Sequence, residues 1–387
     1  MLKIAYVSSY IPRECGIATF TEDVIKNIDA LNVFEPSSII GINDLGSTYN
    51  YGKEVVMQID AADERTYHQV ADLINDSDFD LVNVQHEFGL FGGDWGNYLL
   101  TFLKKLSKPS ITTMHTTLSP NSKIFQSPES RAAHDKVVKG IGQYSSAITV
   151  MTKMAVNILR ENYDIDADKI RIIPHGTPPI PFVSSAQVKA DLGLNERIVL
   201  STFGLISRDK GIHNAIKALP DLVKEWPDIL YLIIGATHPQ VRLHKGEKYR
   251  KRLARLVKSL KLENNVKFHN RFLTKDELIQ YLQATDVYIS PTVNVDQLSS
   301  GTVTYALGAG RAIVSTPFYY AKEVLAEGRG LLCKFKNPGS ITECIRQLLE
   351  NPEQRASIEK LAYEYSQEMI WSKVASKYAS LFKEVIQ

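Results

Sequence analysis

Three groups of residues in this 387-residue sequence have the types and spacing that chemistry requires. The first is Ser299-Ser300-Gly301-Thr302, where a polar loop gives way to the apolar run TVTYALGAG. A helix that opens on Ser-Ser-Gly presents free backbone N–H groups and hydroxyl donors, which suits a phosphate. Ser299 or Ser300 acting only as a helix N-cap is the plainer alternative. The second group is Arg208 and Lys210, in the loop LISRDKG between Gly204 and Gly211. Arginine offers a planar fork to two oxygens and lysine a point charge. Read as surface residues the two cations do nothing. Read with Ser300, Gly301 and Thr302 in the same half of the chain, they form a diphosphate site that balances charge on a leaving group without a metal. The third group is His86 and His115, each closing a strand pattern, with Glu87 beside the first. Histidines at matching strand ends with an adjacent carboxylate point to a site, against the alternative of structural or solvated imidazoles. Zinc held by His86, Glu87 and His115 is open in principle, although nothing in the spacing makes them converge.

These residues need elements to hold them. LKIAYVSS (2–9) reads as a buried parallel strand. The loop YIPRECG follows, then a helix with Phe20, Val24, Ile25 and Ile28 on one stripe. Gly16 lets the backbone of that loop approach a ligand. Further strands are expected at 79–89, 109–117, 146–152 and 169–176. The proline-dense TPPIPF (177–182) reads as a stiff linker, with His175 a turn residue at its mouth. A second alternation follows, with strands at 197–204, 230–235, 265–270, 286–290 and 312–316. The pattern is α/β, two successive doubly wound domains whose carboxyl strand edges face a cleft. No GxGxxG follows any strand, which argues against a dinucleotide-dependent dehydrogenase.

Composition narrows the function further. The chain carries 45 basic and 43 acidic residues, a balance that gives no reason to expect nucleic acid as a partner. The basic helix GEKYRKRLARLVKSLKL reads as a solvated charged face. Cys15, Cys333 and Cys344 form no CxxC, so reduced thiols in a cytoplasmic protein are expected rather than a zinc site or disulfide framework. No apolar run approaches the roughly 18 residues of a membrane-spanning helix, and the first residues read as a strand rather than a signal peptide.

Several segments together resemble the family 4 retaining glycosyltransferases of the GT-B fold, roughly from end to end of the chain. FGLISRDKGIHNAIKAL is similar to that family's phosphate-binding loop, with Lys210-Gly211 matching directly. VKFHNRFLTKDELIQYLQATDVYISPT is similar to the segment leading into its donor loop. YALGAGRAIVST and KEVLAEGRGLLC resemble its two glycine-bearing signatures. TMHTT matches the place of a histidine beside the reacting sugar, and IIPHGT the end of the first domain. WSKVASKYASLF resembles the helix that returns to that domain.

The resemblance implies two Rossmann-like domains: residues 1–177 on the acceptor side, with a final helix of about 368–387 packing back on it, and 178–367 binding the donor. It implies transfer of a sugar from a nucleotide diphosphate sugar to a hydroxyl, with retention of configuration. Arg208, Lys210, Ser300, Gly301 and Thr302 would hold the diphosphate, and Asp296 and Gln297 the donor sugar. His115 would be the catalytic residue beside the anomeric carbon or acceptor, with Gly16, His86 and Glu87 lining the acceptor side. No cofactor or metal is implied beyond the nucleotide sugar as co-substrate. The acceptor would be a sugar or glycan, and a lipid-linked one would put the protein at a membrane surface. The sequence departs from the family at two carboxylates. Its two glutamates, with seven residues between them, fall on Gln297 and Tyr305, and its usual arginine falls on Leu205, so that Arg208 must stand in. These departures leave two alternatives in view, a GT-B phosphorylase and a non-catalytic nucleotide- or sugar-binding module.

Overall fold

The structure is a computed structural model that describes residues 1–44 and 46–387, without the side chain of Gln240. It divides into two compact units, Met1–Gly176 with Trp371–Gln387, and Thr177–Ile370. Each is built on one parallel sheet with helical crossovers, the two-sheet architecture of the GT-B fold.

In the first unit the strands are β1 (Ile4–Ser8), β2 (Ser38–Asn43), β3 (Val55–Asp60), β4 (Leu81–His86), β5 (Ser110–Met114), β6 (Ala147–Val150) and β7 (Ile170–Ile172). Their spatial order is β3-β2-β1-β4-β5-β6-β7. The chain therefore reverses direction across the sheet between β1 and β4, and the loops after those strands flank the switch point. β1, β4, β5 and β6 are buried along their whole length, as central strands of a parallel sheet covered by helices are. β2 and β3 were not anticipated. β3 lies at the sheet edge with alternating exposure, and its sequence VVMQID carries only a faint strand pattern.

The helix Trp371–Ile386 belongs to this unit's core. Trp371, Val374, Ala375, Tyr378 and Phe382 recur at helical spacing and pack with Ile4, Tyr6, Phe20 and Ile111. Gly176 makes the close approach possible, since a Cβ there would lie 2.2 Å from the Trp371 ring.

The second unit contains β8 (Ile198–Phe203), β9 (Ile229–Ile234), β10 (Val266–His269), β11 (Val287–Ser290), β12 (Ala312–Ser315) and β13 (Leu331–Leu332), in the order β10-β9-β8-β11-β12-β13. β13, two residues long, was also not anticipated. Here the switch point falls between β8 and β11. A buried ion pair fastens these neighbours at their amino ends: Lys189 Nζ lies 2.5 Å from Asp286 Oδ2, which also accepts from Val199 N at 2.7 Å. The proline-dense segment packs as part of this unit. Ile180 is in its core, and Phe182 stacks on Tyr363 at 4.9 Å. Buried Arg311 donates to the carbonyl oxygens of Ala309, Gln283, Thr285 and Val183, tying that segment to β12. Among the described residues no helix is long and apolar enough to cross a membrane.

Candidate functional site

The second unit carries a recess at the carboxyl edge of β8 and β11, on either side of the switch point. Thr202, Phe203, Lys210, Tyr288, Ser290, Pro291, Thr292, Gln297, Ser300 and Thr302 line it. The turn Arg208–Lys210 is held there by the loop after β11. Asp209 O accepts from Thr292 Oγ1 at 2.9 Å and from Val293 N at 2.8 Å. Gly211 ends the turn at φ +65°, and a Cβ there would sit 1.9 Å from Pro291 O. Only glycine meets both conditions.

Lys210 is half-buried, and its ammonium makes no hydrogen bond or ion pair among the described residues. Burial lowers its pKa, and Asp209 works against that shift. A partly desolvated cation facing a recess is a counter-charge without its anion. Beside it, Ser300 caps the helix Gly301–Gly308: its Oγ accepts from Val303 N at 3.4 Å and lies 3.2 Å from Thr302 Oγ1. The cap is therefore real. It still leaves the N–H groups of Gly301 and Thr302 without an intrahelical acceptor, and no acidic residue occupies the first turn.

Lys210, Gln297, Ser300 and Thr302 thus meet at one recess, with Gly301 as the first residue of the adjoining helix. Arg208 and Asp296 do not line it. Arg208 is exposed, and its charge falls on His213 and Tyr249, whose ring nitrogen and hydroxyl are 3.0 Å apart. Half-buried Asp296 donates from its backbone N to Asn294 Oδ1 at 3.1 Å. Gln297 donates from Nε2 to Ser299 O at 2.8 Å. Tyr305 is buried in the apolar core, its ring 6.3 Å from that of Phe203. The walls contributed by Thr202, Phe203 and Tyr288 were not anticipated. Thr202 donates to Ile289 O at 2.6 Å and meets Tyr231 OH at 2.7 Å. Burial pushes the Tyr288 phenol up to about 12, opposed by the Thr302 hydroxyl.

In the first unit, the loops after β1 and β4 carry Gly16 and Glu87, and β5 leads into His115. Gly16 opens the helix Gly16–Asp29, and nothing lies within 4 Å of where its Cβ would be. His115 N donates to His86 O at 3.0 Å, so the strand ends are neighbours. Their side chains take different partners. His115 Nε2 lies 2.9 Å from Gln85 Oε1, and its ring meets Phe20 edge-on at 4.6 Å. Burial, with His175 and His86 nearby, lowers its pKa to about 3. Glu87 accepts from Thr116 Oγ1 at 2.6 Å and from Phe88 N at 3.0 Å, while burial raises its pKa. His86 is fully buried, stacked on Phe91 and edge-on to Phe88, and among the described residues neither ring nitrogen has a hydrogen-bond partner. Burial lowers it to about 3. His86 is therefore an aromatic packing residue rather than an exposed wall. His175, the expected turn residue, lies 2.8 Å by Nδ1 from Gly176 O and packs against Phe20 and Trp371. Among the described residues no three His, Cys, Asp or Glu side chains gather as a metal-ion set, so His86, Glu87 and His115 do not converge.

Gln85 and Asn83, which form a buried hydrogen-bonded pair behind His115, were also missed. Their signal was readable: polar residues two apart inside the apolar strand LVNVQH.

Comparison with known proteins follows the same division of the chain. Residues 185–365 match the family model described as glycosyl transferases group 1. Residues 62–179 match the one described as glycosyltransferase family 4. An uncharacterized glycosyltransferase of Methanocaldococcus jannaschii is 27% identical over 65% of this chain and 62% of its own length. A D-inositol 3-phosphate glycosyltransferase of Corynebacterium urealyticum is 24% identical over 67% of this chain and 60% of its own. The matches thus span less than two thirds of those relatives. Among solved structures, Anabaena HepE in complex with UDP superimposes with a TM-score of 0.76 at 16% identity, covering 99% of this chain and 100% of that one.

Proposed function

The chain belongs to the family 4 glycosyltransferases, and on that premise we propose that it moves a sugar from a nucleotide diphosphate sugar to a hydroxyl acceptor with retention of configuration. The observation that carries this reading is Lys210, a half-buried cation unpaired among the described residues, in the recess that holds Gln297, Ser300 and Thr302. In this reading Lys210 balances the diphosphate, with Arg208 on the same turn as a second cation. The N–H groups of Gly301 and Thr302 and the hydroxyls of Ser300 and Thr302 complete the cradle. Gln297, with Asp296, contacts the donor sugar. His115 is the catalytic residue beside the reacting sugar, and Gly16, His86 and Glu87 belong to the acceptor side, His86 through the shape of its loop. The UDP complex of HepE and the glycosyltransferase names of the relatives support a nucleotide-sugar donor.

Charge that develops on the leaving diphosphate would meet a fixed cation and fixed N–H dipoles, which need no reorganisation during the reaction. No protein nucleophile is assigned. Retention would follow from attack on the face the diphosphate leaves, with the diphosphate oxygen taking the acceptor proton.

Incubation with UDP-, GDP- and ADP-sugars and a panel of hydroxyl acceptors, read by NMR of the product's anomeric centre, tests this. The expected product keeps the donor's configuration, and His115→Ala loses turnover while still binding donor. Gln297 and Tyr305, which leave the recess without the family's two carboxylates, favour a second reading, a non-catalytic binding module. Donor binding without turnover would select that reading. Turnover that requires inorganic phosphate would select a phosphorylase.

A further inference from the structure

The proton on His115 is placed by atoms one strand away. Asn83 and Gln85 are two residues apart on β4, so their side chains leave the same face of the sheet, and both are fully buried. Asn83 Nδ2 lies 3.3 Å from the backbone oxygen of Ile111 on β5. A carbonyl oxygen only accepts, so this end of Asn83 is its NH2 group and the other end is its oxygen. Gln85 Nε2 lies 2.6 Å from that oxygen, with Thr113 Oγ1 further off at 3.4 Å. This end of Gln85 must donate. Its oxygen is then the atom that faces His115 Nε2 at 2.9 Å. Since Gln85 Oε1 cannot donate, the hydrogen between them belongs to the imidazole.

We propose that Asn83 and Gln85 are positioning residues that lock His115 as the neutral Nε2–H tautomer, so that its Nδ1 meets any partner only as a hydrogen-bond acceptor. For the reaction this rests on the reading that His115 contacts the sugar. The ligand group it then selects is a hydroxyl, which donates to Nδ1. From Nδ1 the neutral ring cannot protonate a leaving oxygen, and burial keeps it neutral. The surroundings agree with a neutral ring. Among the described residues the titratable groups that lower its pKa include His175 and His86, both themselves held neutral by burial, while the neighbouring Glu87 is engaged by Thr116 and Phe88 N.

The test is the long-range 1H–15N correlation spectrum of the full chain labelled with 15N-histidine, without ligand. The His115 signals are assigned by their loss in His115→Gln. The expected pattern is that of a protonated Nε2 and an unprotonated Nδ1, unchanged from about pH 8 to about pH 5.5, across the ordinary histidine pKa. Asn83→Leu does not touch His115, yet it frees the Gln85 amide to turn over. The spectrum should then show proton occupancy moving to Nδ1, and Gln85→Met should do the same. In turnover assays Gln85→Met should lose about 10- to 100-fold in kcat, as typical for an orienting partner, with donor affinity kept. A wild-type spectrum showing Nδ1–H or an imidazolium at neutral pH overturns the proposal, as does an Asn83→Leu spectrum identical to wild type. Should both variants fail to fold, the wild-type pattern decides alone. If the tautomer is as expected but His115→Gln keeps its turnover, the relay stands and the catalytic reading of His115 fails.

Discussion

Individual side chains in the first unit are set for neutral pH. His86 and His115 are lowered to about 3, and His175 to about 4, each chiefly by burial. An unfolded chain binds protons on all three as pH falls below about 6.5, while the folded chain does not. Their contribution to stability is therefore complete above about pH 6.5 and is lost progressively toward pH 4 and then 3. Each costs on the order of 2 kcal/mol between pH 7 and pH 5. Glu87 acts in the opposite sense, because burial raises its carboxyl and folding then favours the proton. Denaturant titrations at pH 7 and pH 5 should show a loss of several kcal/mol, and His86→Phe should flatten that acid limb by about one proton. Equal stability at the two pH values would contradict the burial of these rings. That His86 and His115 sit at neighbouring strand ends was legible in the sequence. The packing role of His86 was not, because Phe88 and Phe91 lie on the following loop, whose path no local pattern specifies.

At the scale of elements, the strands most plainly legible are those whose apolar runs are nearly continuous, such as β1 and β9. Full burial on both faces imposes that pattern. The edge strand β3 and the two-residue β13 lack this constraint, and little in their sequences marks them. The switch-point loops were legible because chemistry-bearing residues follow strand patterns directly. The contact between them was not. Thr292 and Val293 grip the Asp209 carbonyl across a sequence separation of 83 residues or more, and Pro291 O sits where a Gly211 Cβ would be. Gly211→Ala combines a left-handed backbone with that clash. It should cost at least about 2 kcal/mol in thermal unfolding and weaken nucleotide binding by displacing Lys210. Unchanged melting would show that the loop yields easily and does not fix Lys210.

On the scale of the whole molecule, the chain leaves the first unit at Gly176 and returns to it at Trp371. The returning helix supplies Trp371, Val374, Tyr378 and Phe382 to a core otherwise made from the first 176 residues. A chain cut after Ile370 loses those side chains from the first unit while leaving every residue of the second in place. Limited proteolysis should then degrade the first unit, with the fragment Thr177–Ile370 persisting and still binding nucleotide. Equal resistance of both units would contradict the assignment of that helix. The buried polar groups of the first unit, Asn83 and Gln85 behind His115, belong to the same scale. Their presence was readable from two polar residues in one strand, but their role was not, because a buried amide takes its meaning from the acceptor it meets on another strand.

In the proposed function the Lys210 recess is the diphosphate site of a nucleotide sugar. The most direct measurement is a calorimetric titration of the full chain with UDP, GDP and ADP in the absence of added metal, repeated with Lys210→Ala. One nucleoside diphosphate should bind, and Lys210→Ala should weaken it by at least about tenfold, the worth of a charge-assisted contact of roughly 1.5–3 kcal/mol. Failure of all three to bind, or equal binding by the variant, would contradict the claim.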